Sequence, residues 1–243
     1  MVDFSFLTDA TIVSAMVIVP VYFFVTYRSA GVSPRTTALL TGAVIAYGSL
    51  ATLFVVEWQY SFDSAYVVPV VMLASLAVPP IAVLRWQATF VPEGIGLPWL
   101  IGVQAFRVIG GLYLFEHHRG NVGAAFGYWA GIGDVVTGLA ASALLVGFWR
   151  TGRMSRRAVV ATIVFGIADF AWAYAIGVLS FETPIQVFAM DEVHATNRFS
   201  LAMIPFALAP IAMAFMVMTL IVVRRPDARY VGAIRRTRPG VSP

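Results

Sequence analysis

Residues 122–157 read VGAAFGYWAGIGDVVTGLAASALLVGFWRTGRMSRR. From Val122 to Trp149 the only charge is Asp134, and within the next eight positions come Arg150, Arg153, Arg156 and Arg157. A run of that length crosses the roughly 30 Å hydrocarbon core as one α-helix, and an abrupt switch to arginine marks the water boundary of a span. The stretch therefore predicts a membrane helix with a buried carboxylate near its middle and a basic flank at its end.

Six further windows have the same character, near Thr11–Tyr27, Thr36–Val56, Ala65–Leu84, Leu97–Phe115, Arg157–Leu179 and Phe199–Val223. The expected fold is an all-α polytopic transmembrane bundle of about seven spans. The first span has Asp3 and Asp9 upstream and no basic leader, so it reads as a retained helix rather than a signal peptide. Residues 1–225 form the membrane domain in this reading, and 226–243 a basic disordered cytoplasmic tail lying against anionic headgroups.

The charges are sorted by connection. Arg28, Arg35, Arg85, the four arginines after Trp149, Arg224, Arg225, Arg229, Arg235, Arg236 and Arg238 all fall on one side of an alternating topology. Asp3, Asp9, Glu57, Asp63, Glu116, Glu182, Asp191 and Glu192 fall on the other, where the only arginines are Arg119 and Arg198. The positive-inside rule then predicts an outside amino terminus and a cytoplasmic carboxyl terminus in a cell inner membrane.

Composition narrows the chemistry. The chain is 60% hydrophobic and 12% charged, which leaves no room for a soluble catalytic domain. Its net charge of +4 comes from arginine alone and is topological, so the bilayer is the partner expected and nucleic acid is not. A homo-oligomer or another membrane subunit is a further possible partner. There is no cysteine, which removes thiolate metal sites, and no lysine, which excludes a covalent retinal Schiff base despite the seven spans; the cofactor is otherwise unknown.

Three ionisable residues lie near span centres: Arg107, Asp134 and Asp169. A charge at mid-bilayer costs at least roughly 2.5–3.5 kcal/mol, so such residues face the bundle interior and pair. Counting from the turn at Arg119 and Gly120 puts Arg107 roughly 15 Å and Asp134 roughly 21 Å into the membrane, within about one helical turn of each other. Gln104, Arg107 and Gly111 share one face of the fourth span. Gly123, Gly127, Gly131, Asp134 and Gly138 share one face of the fifth, and Gly166, Asp169, Ala173 and Gly177 one face of the sixth. Small residues at this spacing allow close helix approach. Tyr128, Trp129, Trp172 and Tyr174 flank the layer as an expected aromatic wall. The third span, with Pro69, Pro79 and Pro80, is the one expected to bend or break beside a cavity.

Other groups carry less. His117, His118 and His194 are expected at the outer face near Glu116, Asp191 and Glu192, as weak metal candidates or ordinary interfacial histidines. The connection from Phe181 to Asn197 is the longest outer one, and its Met-Asp-Glu-Val-His run is a candidate interfacial helix. Gly-Ile-Gly-Asp at 131–134 is a packing motif, not a nucleotide loop, since no strand precedes it and the P-loop lysine is missing.

The stretch Leu97–Gly138, with Gln104-Ala-Phe-Arg107 and Gly131-Ile-Gly-Asp134-Val-Val-Thr137-Gly138, resembles a group of uncharacterised bacterial multi-pass membrane proteins sharing Gln-x-Phe-Arg and Gly-x-x-Asp-x-x-Thr-Gly motifs on consecutive helices. A proline-bearing last span, here Ile204-Pro-Phe and Ala209-Pro-Ile, extends the likeness to about half the chain. The resemblance implies that Gln104, Arg107, Asp134 and Thr137 belong to one polar centre and implies no activity. Where members of the group carry a histidine in the last span, this chain has Met213, Met216 and Met218, which argues against a cofactor role there.

The leading functional expectation is a transporter or channel-like protein moving a proton, small ion or small polar solute through a midplane site of Gln104, Arg107, Asp134, Thr137 and Asp169. The alternative is a membrane-embedded sensor or accessory subunit binding a lipid, quinone or pigment non-covalently. A plain structural salt bridge between Arg107 and Asp134 is the bland reading. An enzyme would need His117, His118, His194 and Glu192 to converge, so no catalytic residue is assigned.

Overall fold

The computed structural model describes residues 5–61, 67–181, 183–188 and 199–225. Its long helices are α1 (Ser5–Ser29), α2 (Pro34–Ser61), α3 (Val67–Arg85), α4 (Leu97–His118), α5 (Ala124–Thr151), α6 (Arg156–Leu179) and α7 (Phe199–Val223). All seven are long and apolar enough to cross a membrane, which marks a multi-pass membrane protein. Among the described residues every regular element is helical. Several helices outrun their apolar windows: α1 begins at Ser5 and α2 continues to Ser61, because backbone hydrogen bonding carries on into the polar flanks. Local chemistry fixes other ends. Gly152, at φ 66°, stops α5 by donating its N–H to Phe148 O, and Ser155 caps α6 by accepting from Ala158 N–H at 3.3 Å.

The last helix is the centre of the bundle. From Phe199 to Val223 it carries no charge on any face, and a helix apolar all round must be enclosed. Accordingly 83% of its membrane window is buried, against 17–44% for the other six helices. It packs against α1, α2, α3, α4 and α6, while α5 packs chiefly on α4 and α6.

Hydrogen bonds fix which ends share a face. Thr8 Oγ1 at the start of α1 donates to Glu116 at the end of α4. At the opposite face Arg225 donates to Val91 O at 2.6 Å and Pro92 O at 3.0 Å, and the Tyr27 hydroxyl donates to Phe90 O at 2.5 Å. Arg28, Arg35, Arg85, Arg150, Arg156 and Arg224 all stand at this second, arginine-rich face.

The helix interruptions fall elsewhere than the sequence suggests. The proline-bearing third span runs unbroken as α3, although Pro79 cannot donate to Ser75 O. The breaks are in α4, which tightens to a 3₁₀ turn over Phe106–Gly110, and in α7, which widens to a π turn over Ile204–Leu208. Three carbonyls of α7 lose their helical partners there. Pro205 and Pro210 have no N–H for Leu201 O and Phe206 O, and Ala209 N–H goes to Ile204 O rather than Pro205 O. Three tyrosines from three helices supply the missing donors. Tyr113 of α4 donates to Leu201 O at 3.2 Å, Tyr47 of α2 to Phe206 O at 3.0 Å, and Tyr174 of α6 to Pro205 O. Tyr47 Oη also lies 3.2 Å from Ser75 O, the carbonyl that Pro79 leaves free. In a membrane such carbonyls have no water to turn to, so the hydroxyls make the broken helix tolerable.

Candidate buried ion triad

Arg107 lies in the 3₁₀ turn of α4 and reaches two carboxylates on two other helices. Its Nε donates to Asp134 Oδ1 of α5 at 2.6 Å, and its Nη2 donates to Asp169 Oδ2 of α6 at 2.6 Å. Nη1 points to Gly166 O at 3.3 Å, and the guanidinium carbon sits 3.8 Å above the Phe170 ring. The side chains of Arg107, Asp134 and Asp169 are 2%, 8% and 7% exposed. These are short, charge-assisted bonds in a setting where an unpaired charge is strongly penalised.

Glycines make the space for this triad. A Cβ on Gly110 would overlap the Asp134 side chain, one on Gly133 would overlap the Asp169 carboxylate, and one on Gly166 would press on Arg107 Nη1. Gly127, Gly131 and Gly138 let α5 lie directly on α4, meeting His117, Leu114 and Val108.

Two small cavities flank Asp134, each of about 20 Å³. One is bordered by Tyr113, Phe126, Phe170, Tyr174 and Pro205, the other by Arg107, Gly110, Phe170, Ile204 and Ala212. A water needs on the order of 10–15 Å³, so each has room for one. Both touch the π turn of α7, which faces the 3₁₀ turn of α4 across the triad.

The structure divides the sequence-derived site residues. Arg107, Asp134 and Asp169 converge. Gln104 is fully buried one turn away and donates through Nε2 to Ala212 O at 3.2 Å, tying α4 to α7; its Oε1 has no hydrogen-bond partner among the described residues. Thr137 is fully buried, but its hydroxyl donates to Gly133 O of its own helix at 2.9 Å. The aromatic wall does not form. Tyr128, Trp129 and Trp172 are 51–60% exposed on outward-facing helix surfaces, and only Tyr174 turns inward to the triad. Trp129 and Trp172 sit on the sides of their helices away from the glycine faces, while Tyr128 lies at the flank of its own against His117 of α4.

The histidines are apart from the triad. His117 Nδ1 lies 2.8 Å from Val122 O and its ring meets Tyr128 edge-on, while His118 is exposed. Glu116 is fully buried, accepts from Thr8 and from Asn121 Nδ2 at 2.6 Å, and so clamps the turn between α4 and α5. Among the described residues no three histidines or acids come together as metal ligands. Asp191, Glu192, His194 and the candidate interfacial helix lie outside the described residues, as does the basic tail.

Several participants escape a reading by span and face: Phe170 under the guanidinium, Gly110 and Gly133 beside the carboxylates, and the tyrosines on α7. The tyrosines had a signal. Each proline in a span frees the carbonyl four residues back, and a span-centred tyrosine is a natural donor for it.

Seven apolar helices around a buried arginine and two aspartates define a multi-pass helical membrane protein with ionisable groups in its interior. Residues 66–224 match the family described as Domain of unknown function (DUF8737), and the chain belongs to that family. The match runs over α3–α7 and so takes in the whole triad. The curated proteins and the solved structures yield no match to the chain.

Proposed function

We propose that this protein is a transporter or channel-like protein that carries protons across the membrane, with Arg107, Asp134 and Asp169 as the exchange site. One observation supports the reading above the others: a single guanidinium holds one oxygen from each of two carboxylates, and water-sized cavities border the shared carboxylate, Asp134. With both aspartates ionised the triad bears one net negative charge inside the bilayer. One proton makes it neutral, and that proton has Asp134, Asp169 and two adjoining water sites to move between. The cavities are too small for an organic solute, which favours the proton over a polar metabolite. Gln104 and the tyrosines are positioning residues in this account, since they hold α7 and its π turn against the triad.

The orientation that accords with the basic face is an outside amino terminus and a cytoplasmic carboxyl terminus, in the cytoplasmic membrane. The test is proton flux into vesicles containing purified protein, read with an entrapped pH dye under an imposed potential. Native protein should acidify the lumen, and folded Asp134→Asn and Asp169→Asn variants should do so at least ten-fold more slowly. Native vesicles no leakier than empty ones would sink the proposal.

A further inference from the structure

A second site lies on the far side of α7 from α5. Between α1, α2 and α7 runs a groove of about 300 Å³, walled by Ile12, Met16, Val44 and Gly48 and floored by Met203 and Ile211. Its volume is at the lower end of the ~300–1,000 Å³ typical of small-molecule sites. Its rim carries Val13, Val17 and Ile45, which are 54%, 63% and 51% exposed on the membrane-facing surface, so the groove opens sideways toward hydrocarbon. One polar group is out of keeping with this lining. Ser200, 3% exposed in the first turn of α7, borders the groove with an Oγ that has no hydrogen-bond partner among the described residues. Thr52, by contrast, already donates to Gly48 O at 2.8 Å.

We infer that this groove binds one acyl chain of a bilayer glycerolipid, with the lipid's ester carbonyl accepting a hydrogen bond from Ser200 Oγ. The dimensions select that occupant. Along α7 the lining runs from Ser200 to Ile211, about 16 Å at 1.5 Å per residue, or roughly half the 30 Å hydrocarbon core. A helix ~10 Å across would need roughly 1,300 Å³ over that length, well beyond the groove, whereas a single hydrocarbon chain is far thinner. A helix of a second copy therefore does not fit. Depth agrees as well. At 25 residues α7 is about 37 Å long, so its first turn stands at the edge of the core, where ester carbonyls lie. The site is independent of the proton reading, since Arg107, Asp134 and Asp169 are not among the residues that line it.

The test is native mass spectrometry of the full chain, delipidated in mild detergent and then titrated with phosphatidylethanolamine, with size-exclusion profiles confirming fold. The native protein should retain one phospholipid. Ile45→Trp, at the exposed rim, should abolish retention, as should Gly48→Leu, whose Cβ has only the tip of Met16 near it, at 3.2 Å. Ser200→Ala should weaken binding about five-fold, the effect of one ordinary hydrogen bond. Asp134→Asn should leave retention unchanged whether or not it abolishes flux. No retained lipid, retention indifferent to both blocking variants, or preferential retention of a prenylquinone would overturn the assignment.

Discussion

Arg107 and Asp169, 62 positions apart in the chain, meet at 2.6 Å in the bundle interior, and the same guanidinium holds Asp134 at 2.6 Å. Three helices, α4, α5 and α6, are thus joined through one cation, and the charge count of the triad governs what substitutions do.

Neutralising either acid alone leaves one arginine facing one carboxylate. Asp134→Asn and Asp169→Asn should therefore each change stability by about 1 kcal/mol or less, since the amide oxygen still accepts from the guanidinium. The double variant strands a buried cation and should lose ~3–5 kcal/mol, far beyond the sum of the singles. Chemical unfolding in detergent micelles measures all three, and additive effects would refute the shared-charge account.

Arg107→Met removes the cation and leaves two carboxylates in apolar surroundings. A loss of ~3–5 kcal/mol is expected, partly recovered when Asp134→Asn is added. The same unfolding assay reads both variants, and no recovery in the double would count against charge as the cause.

The glycines beside the triad are irreplaceable for space, not for backbone freedom. Gly133→Ala should cost ~1–3 kcal/mol by pushing the Asp169 carboxylate aside. Gly147→Ala, on the same helix with nothing within 4 Å of its added Cβ, should be neutral or stabilise by up to ~1 kcal/mol. Equal effects at both positions would contradict the packing described.

The tyrosine donors on α7 should be coupled to its prolines. Tyr113→Phe leaves Leu201 O without a donor and should cost ~1–3 kcal/mol. In a Pro205→Ala background the new backbone N–H serves that carbonyl, so Tyr113→Phe should then cost little. A double-mutant cycle by thermal unfolding checks this, and an unchanged Tyr113→Phe penalty would rule the coupling out.

The spans were legible because apolar run length and arginine placement are direct consequences of bilayer physics. Two features of the site were equally open: charges at span centres must pair, and depth counted from Gly120 puts Arg107 and Asp134 within about one helical turn of each other. What stayed hidden depends on which way helices turn. Face counting treats α4 and α7 as regular, but the 3₁₀ turn at Phe106–Gly110 and the π turn at Ile204–Leu208 shift every later side chain around the axis. The 3₁₀ turn changes the face Arg107 shares with Gln104, which bonds α7 instead; Tyr128, Trp129 and Trp172 lie on the regular helices α5 and α6, where matching the triad in depth does not turn a side chain toward it. Proline content misdirected the break to α3, where the helix tolerates Pro79 with Tyr47 beside the freed carbonyl. The enclosure of α7 was readable from its lack of any charge, a cue that span counting by itself does not use.

The most direct measurement is infrared spectroscopy of the purified protein with carbon-13-labelled aspartate, in light and heavy water at neutral pH. A triad that holds an exchangeable proton predicts a protonated-carboxyl band that shifts in heavy water and disappears in the Asp134→Asn/Asp169→Asn double variant. A native spectrum with every aspartate ionised, or a band unaffected by the double variant, would contradict the account.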